Sequence, residues 1–361
     1  MRYALIGCGR ISPNHVMAAK NNDLEIVALC DINKENAIDK IIKFDLDSDK
    51  VTIYGDYKEM LKNEKPDLVA IATESGKHAA IALDCIEAGC NIIVEKPIAL
   101  SIADANAIIK AGKEKGVLVC ANHQNRFNNS IQEIKKAIDK RRFGKLLHGT
   151  AHIRWTRDHE YYDRASWRGT WEQDGGCLMN QCIHDIDLLR WMMGDEIDTV
   201  YGMTDRLIHN YIEAEDLGVA VVKFKNGSYG IIEGTTNVYP KNLEETLYIF
   251  GEKGTVKAGG ESVNIIEEWN FSDCFGDEEK VKEECSENPP NIYGFGHSKL
   301  YKNVIAAIEG REELLVDGEA GKRAMELVLA IYKSAAENRP VKLPLDESCS
   351  TMDFVGMFEK K

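Results

Sequence analysis

The sequence lacks any apolar run of membrane-spanning length. Its first residues lead straight into a strand-like segment, with no basic-then-apolar leader ahead of them. A cytoplasmic protein without a membrane partner is therefore expected. Its ten cysteines are scattered, with no Cys-x-x-Cys pair and no framework spacing. That argues against a disulfide scaffold or a structural metal site, so no metal is expected and the thiols are read as reduced. Positive charge is in short supply: 45 Lys and Arg stand against 59 Asp and Glu, a net charge of −14. A nucleic-acid partner would need a basic face, and the balance here argues against one. There is no internal repeat. What is present is the composition of an ordinary soluble globular chain, 44% hydrophobic and 29% charged. At 361 residues it is too long for one core, and two domains are expected.

The first part alternates strand and helix. Tyr3-Ala4-Leu5-Ile6 runs into Gly7-Cys8-Gly9-Arg10-Ile11-Ser12, a strand, a tight glycine turn and the start of a helix. Ser12 before Pro13 reads as the N-cap. Gly7 permits the turn, and Gly9 lets backbone amides approach a pyrophosphate at the positive helix end. Ser12 replaces the third glycine of the usual fingerprint. A second strand, Glu25 to Cys30, ends at Asp31, where an acid would hold the adenosine ribose. Asp31 argues for NAD over NADP, because a 2′-phosphate would set negative charge against a carboxylate; Arg10 is the nearby cation. Further strands are expected at Val51–Tyr54, Leu68–Thr73, Asn91–Val94 and Val117–Ala121. Ligands of open parallel sheets bind beyond the carboxyl ends of the strands. Those ends carry Thr73-Glu74 with His78 downstream, Glu95-Lys96-Pro97, and Asn122-His123-Gln124-Asn125-Arg126.

After residue 122 the pattern changes to long alternating strands. They are expected at Leu147–Trp155, Thr199–Ile208, Leu217–Phe224, Tyr229–Val238, Thr246–Phe250 and Thr255–Lys257, forming an antiparallel sheet with one face on helices and one free for another subunit. Residues 273–290, acidic and ending in Pro289-Pro290, read as a loop excursion. Two helices, His297–Glu309 and Glu319–Glu337, close the chain.

The stretch Gly175 to Asp187 stands out. A helix is expected from the glycine pair to Met193, with Gly194 as its stop. Asn180, His184 and Asp187 would share one stripe, and Cys182, Ile186, Leu189 and Met193 an apolar stripe facing a core. Just upstream, Arg154, Arg157, Arg164 and Arg168 lie among Trp155, Trp167 and Trp171 in an otherwise acidic chain. Arginine forks suit a diphosphate or a sugar carboxylate, and aromatic faces suit a uracil or sugar ring. At least one of these arginines is expected to pair with a local acid, Asp158, Glu160, Asp163 or Glu172.

Gly7-Cys8-Gly9, Asp31, Glu95-Lys96-Pro97 and Gly175-Gly176-x3-Asn180-x3-His184-x2-Asp187 together resemble the glucose-fructose oxidoreductase/inositol dehydrogenase/rhizopine-catabolism family. The resemblance spans essentially the whole chain. It implies an α/β protein, with an N-terminal Rossmann parallel sheet over 1–121 and a C-terminal α+β domain with an open, mostly antiparallel sheet over 122–361. It further implies NAD as cofactor, hydride transfer with a sugar-type alcohol, catalytic roles for Lys96 and His184, and a homo-oligomer, tetramer or dimer. Asn180 stands where the family has aspartate, and is read as orienting substrate through its amide. Glu74 replaces the family's proline ahead of His78. The cofactor set so implied is Gly7, Gly9, Arg10, Ile11, Asp31, Thr73, Glu74, His78, Glu95, Lys96, Asn122, Trp167 and Arg168. The substrate set is Asn180, Arg154, Arg157, Arg164, Arg168 and Gln124.

Within the family, the segments Asn122–Phe127, Arg164–Gly169, Met179–His184 and Tyr239–Thr246 are similar to those of bacterial UDP-N-acetylglucosamine or UDP-N-acetylglucosaminuronate 3-dehydrogenases of surface-polysaccharide synthesis. His184 has the ordinary pKa of a base, and Lys96 suits the growing alkoxide charge, though the two roles exchange if Lys96 is neutral. The leading expectation is 3-oxidation of such a nucleotide sugar, with the uronate preferred. Next comes a dehydrogenase of free sugars, inositols or other polyols, and third a non-catalytic NAD-dependent sensor.

Overall fold

The structure is a computed structural model, and it describes every residue except 274–275, 287–294 and 360–361. The chain divides into two compact units: residues 1–124 with 297–322, and residues 125–296 with 323–361.

The first unit holds β1 (Arg2–Ile6), α1 (Ser12–Asn21), β2 (Glu25–Cys30), α2 (Lys34–Lys43), β3 (Thr52–Tyr54), α3 (Tyr57–Glu64), β4 (Leu68–Ile71), α4 (His78–Glu87), β5 (Asn91–Val94), α5 (Ile102–Lys115) and β6 (Val119–Ala121). All six strands pair in parallel, in the order β3-β2-β1-β4-β5-β6. That is the doubly wound order, whose crevice lies where the order reverses at β1 and β4. Apolar runs bury the strands on both faces: Leu68 to Ile71 and Ile92 to Val94 are wholly inaccessible. Helix ends follow their caps. Asn33 accepts from the Glu35 amide, Asp56 from that of Lys58 and Ser101 from that of Asp104, while Gly116 stops α5 in the left-handed region. The start of α1 differs from expectation. Ile11 is the N-cap, and Ser12 sits one place inside with its hydroxyl donating back to the Gly9 carbonyl at 2.6 Å.

The second unit holds α6 (Asn129–Asp139), β7 (Leu146–Arg154), α7 (His159–Asp163), α8 (Ile183–Met193), β8 (Ile197–Asp205), β9 (Leu217–Phe224), β10 (Tyr229–Thr235), β11 (Glu244–Gly251), β12 (Gly254–Gly259), β13 (Ile265–Phe271) and α9 (Glu278–Cys285). Then α10 (Gly296–Ile308) lies almost wholly in the segment that groups with the first unit; α11 (Gly318–Glu337) and β14 (Val341–Lys342) follow. The sheet order is β13-β12-β11-β7-β10-β9-β8-β14. Every pair is antiparallel except β7 with β10. Along β9, buried and exposed residues alternate, so one face of the sheet is covered and the other open.

Two expectations are corrected. Residues 278–285 form α9, because Val281 packs inward and Lys282 pairs with Glu278 one turn back; Pro289-Pro290 lies outside the described residues. The His184 helix is not regular from the glycine pair onward: Leu178–Cys182 is a π turn that passes into α8. By its contacts, the stretch 297–322 groups with the first unit. No described helix is long and apolar enough to cross a membrane.

Candidate active site

In the first unit the glycine turn is built by exclusion. Gly7 has φ +93°, and a β-carbon there would collide with the Ala72 carbonyl of the neighbouring strand end. Gly9 faces the other way: a β-carbon there would meet no protein atom within 4 Å. The loop thus presses on β4 at one glycine and opens at the other, next to the N-terminus of α1, where the helix dipole favours a pyrophosphate. Arg10 is exposed and Ile11 half-buried beside this opening. Asp31 follows β2, half-buried, and its carboxylate accepts from the amides of Cys8 (2.8 Å) and Asn33 (2.8 Å) and from the Asn36 side chain (3.2 Å). The acid is held against the turn it is meant to serve. The residues present therefore fit a dinucleotide.

At the ends of β4 and β5, Thr73, Glu74 and Lys96 are half-buried, while His78 and Glu95 are buried. The His78 ring lies 2.7 Å from the Pro97 carbonyl and 3.1 Å from that of Thr73, so both nitrogens face backbone. Burial pulls its pKa down against the pull of those carbonyls. His78 braces two strand ends and has no nitrogen left over for a cofactor. Glu95 is engaged likewise: one oxygen meets His15 at 2.9 Å and the Asn122 amide, and the other accepts from the Lys96 amide at 3.2 Å. Burial would raise its pKa, but hydrogen bonds and charge from His15 and His297 hold it well below the carboxylate range. Asn122 is fully buried in the same cluster, and Gln124 is buried in the turn that follows β6. Glu95, His78 and Asn122 are thus engaged with the strand ends and with one another's neighbours.

In the second unit, Gly176 has φ +92° and lies against Glu215, whose carboxyl would collide with any β-carbon there. Glu215 accepts from the Leu178 amide (2.7 Å) and the Tyr332 hydroxyl (2.8 Å), pinning the first residue of the π turn. Burial pushes its pKa up to about 8. Local π geometry of this kind often marks functional sites. Asn180, within the turn, donates to Asp174 and accepts from Gln181 at 2.8 Å. Gln181 in turn accepts from both Nε (2.9 Å) and Nη2 (2.6 Å) of Arg157. His184 is half-buried, one residue into α8.

The expected polar stripe does not form. Asp187 is 1% exposed and takes both nitrogens of the Arg126 fork at 2.7 Å, with Arg190 at 3.0 Å. It anchors α8 through these buried arginines. Asp185, beside His184, is buried near Glu245; burial raises Asp185 to about 7 and Glu245 well above its usual range.

The four arginines separate by their partners. Arg154 pairs with Glu233 and Glu244, and Arg164 is exposed and pairs with Glu160 at 2.6 Å, one of the local acids expected. Arg157 and Arg168 have no carboxylate within ion-pair distance among the described residues. Arg157 donates only to neutral oxygens, of Gln181, Thr156 (2.6 Å) and Asn242 (3.3 Å), and lies over the Trp155 and Tyr161 rings at 4.8 and 5.0 Å. Arg168 donates to the Tyr161 carbonyl and lies 4.1 Å from that ring and 5.6 Å from half-buried Trp167. Trp167 and Arg168 belong to the second unit, as Trp171 does; Trp171 is fully buried against Tyr332 and Phe354, a core residue rather than a stacking platform.

Residues 1–123 match the oxidoreductase family's NAD-binding Rossmann fold, and residues 135–343 match its C-terminal α/β domain. The chain belongs to the GFO/IDH/MocA oxidoreductase family. Like other members of the family it is an NAD-dependent dehydrogenase acting on a sugar-type CH–OH group, which sets aside the sensor reading. It is similar to myo-inositol 2-dehydrogenase of Thermotoga maritima, 26% identical over 95% of this chain and 98% of that one. Among solved structures it is similar to the WlbA dehydrogenase of Bordetella pertussis in complex with NADH and UDP-GlcNAcA. That protein is 39% identical, with TM-score 0.88, covering 96% of this chain and 98% of that one. The WlbA dehydrogenase of Chromobacterium violaceum, with the same ligands, is 37% identical with TM-score 0.87, covering 96% of each.

The sequence does not single out His15, His297 or Tyr301, which surround Glu95: no motif links positions so far apart. Asn242 and Glu245, which serve Arg157 and Asp185, do lie in the segment Tyr239–Thr246 whose likeness is visible in the sequence.

Proposed function

We propose that the protein oxidises the 3-hydroxyl of a UDP-activated N-acetylhexosamine to the ketone, with the uronic acid preferred, for surface-polysaccharide assembly. The observation that carries this reading is the pair Arg157 and Arg168. Each is a partly buried guanidinium set on aromatic rings with only neutral acceptors around it, so its charge is left for an anion. A free polyol offers no anion to match. Similarity to two dehydrogenases solved with UDP-GlcNAcA supports the same choice.

NAD, when bound, supplies the hydride acceptor. In the reaction proposed, His184 takes the hydroxyl proton and the Lys96 ammonium hydrogen-bonds the oxygen as its negative charge grows. Asn180, its amide held by Asp174 and Gln181, orients the sugar and links its grip to Arg157. The second reading, oxidation of an inositol or other free polyol, is favoured by the whole-length likeness to myo-inositol 2-dehydrogenase. We further propose a homo-oligomer formed through the open sheet face. There Tyr201, Val221 and Ile231 lie directly across neighbouring strands, and Met203 lies across from Val219; all are at least 40% exposed.

The deciding experiment compares kcat/KM for the UDP-N-acetylglucosaminuronate, for UDP-N-acetylglucosamine and for myo-inositol. The uronate should lead. Preference for inositol overturns the substrate class, and preference for the uncharged nucleotide sugar removes only the carboxylate.

A further inference from the structure

Behind the strand end that presents Lys96 lies a buried polar chain. Nε2 of His15, in α1, is 2.9 Å from Glu95, and its Nδ1 is 2.7 Å from the Tyr301 hydroxyl. Tyr301, in α10, meets the Tyr3 hydroxyl at 2.9 Å. The Asn122 amide reaches both Glu95 and Nε2 of His297, the latter at 3.2 Å, and His297 stands 3.8 Å from Glu95. Tyr3, His15, Asn122 and Tyr301 are wholly inaccessible, and Glu95 and His297 nearly so.

A proton wire needs an exit to solvent. This chain ends on Tyr3 in the core, so its use is to hold charge and geometry rather than to conduct. The Glu95 carboxylate accepts, so Nε2–H of His15 donates to it, and the Tyr301 and Tyr3 hydroxyls continue the chain from Nδ1. The Asn122 amide forks to Glu95 and to Nε2 of His297, and burial pulls the His297 pKa down. Glu95 then spends its second oxygen on the Lys96 amide. The two imidazoles and the carboxylate are also close enough together to hold a metal ion, but both His15 nitrogens are already matched to partners.

We infer that His15 is a positioning residue for Lys96: it holds the Glu95 carboxylate turned onto the Lys96 amide, and through α1 it ties that hold to the glycine turn where the helix begins. The inference rests on the catalytic reading of Lys96. The groups facing Glu95 are His15 on α1, His297 and Tyr301 on α10, Asn122 after β6, His78 on α4, and Lys96 itself. Without the His15 donor, a buried Glu95 takes up a proton. Lys96 then loses a neighbouring negative charge that favours its ammonium form, so the limb of the pH profile belonging to Lys96 moves to lower pH.

The test uses the full-length protein with His15→Phe, His15→Gln and Tyr301→Phe. Infrared difference spectra at neutral pH, with no substrate present, should show a protonated-carboxyl stretch in His15→Phe. Wild type should lack it, and the double variant with Glu95→Gln should lose it. Turnover of the sugar substrate in His15→Phe should fall about ten- to a hundredfold, with KM little changed, since small misplacements of a reacting group cost rates of this order. The pH profile should move down, and His15→Gln, which restores a donor, should recover most of the turnover. Tyr301→Phe removes one hydroxyl and is the safer variant for folding; it should shift the profile in the same direction by less. A fall in turnover with no carboxyl band and no shifted profile makes the cluster merely structural and overturns the inference. So does one equivalent of zinc in the purified wild type that His15→Phe releases. Turnover indifferent to Lys96→Ala would fell the catalytic reading instead, while the infrared result would stand.

Discussion

Lys96 and His184 carry the sharpest expectations at the level of single residues. Lys96→Ala and His184→Ala should each lower turnover by roughly two orders of magnitude or more, with NAD affinity nearly intact by fluorescence titration. Near-normal turnover in His184→Ala would make α8 purely structural. The arginines offer an internal contrast. Arg157→Gln should raise KM for the nucleotide sugar about tenfold or more, since a charge-assisted hydrogen bond contributes roughly 1.5–3 kcal/mol. Arg164→Gln should change little, because that side chain is exposed and already paired with Glu160. Equal effects in steady-state kinetics would count against the division of the cluster proposed above. Glu215 gives a stability prediction. Burial raises its folded pKa to about 8, whereas an unfolded glutamate titrates near ~4.3. Between these values the unfolded chain has released a proton that the folded one keeps, so stability falls as pH rises through that window. Glu215→Gln keeps an oxygen for the Leu178 amide and the Tyr332 hydroxyl, and should raise the urea midpoint near pH 8 while leaving it unchanged near pH 4.

Secondary elements were legible to different degrees, for physical reasons. Buried parallel strands announce themselves as short apolar runs, and β4 and β5 lie where those runs lie. The acid after β2 and the glycine turn also sit as the spacing requires, since their geometry is local. The π turn was not legible, because it depends on Glu215, which reaches the turn from 37 residues further along the chain. For the same reason Asp187 was misjudged: its three-residue spacing from His184 suggests a shared face, but Arg126 draws it inward. The network around Glu95 joins α1 to α10 and left no trace in any local pattern. A test at this scale is Asp187→Asn, which takes away the carboxylate that the buried Arg126 fork holds, while Arg190 keeps its ion pair with Asp195. It should cost about 3–5 kcal/mol in chemical denaturation, and a loss below 1 kcal/mol would mean the fork contributes little to anchoring α8.

For the molecule as a whole, the association proposed through the open sheet face has a direct test. Val221→Glu places a charge at the centre of the exposed Tyr201–Val221–Ile231 row and should shift sedimentation toward the monomer, with secondary structure unchanged by circular dichroism. An unchanged sedimentation coefficient would move the interface elsewhere. The division of the chain has another consequence, in the order of its synthesis. The first unit is not finished when its sixth strand is made: Tyr301, which shares hydrogen bonds with Tyr3 and His15, lies 180 residues beyond Ala121. On the ribosome, the nascent cofactor unit therefore waits with His15 and Glu95 lacking their α10 neighbours while seven of the eight strands of the second sheet, β7 to β13, are translated. At ~5–20 residues per second that interval is on the order of ten to forty seconds, a period in which a chaperone would find its site.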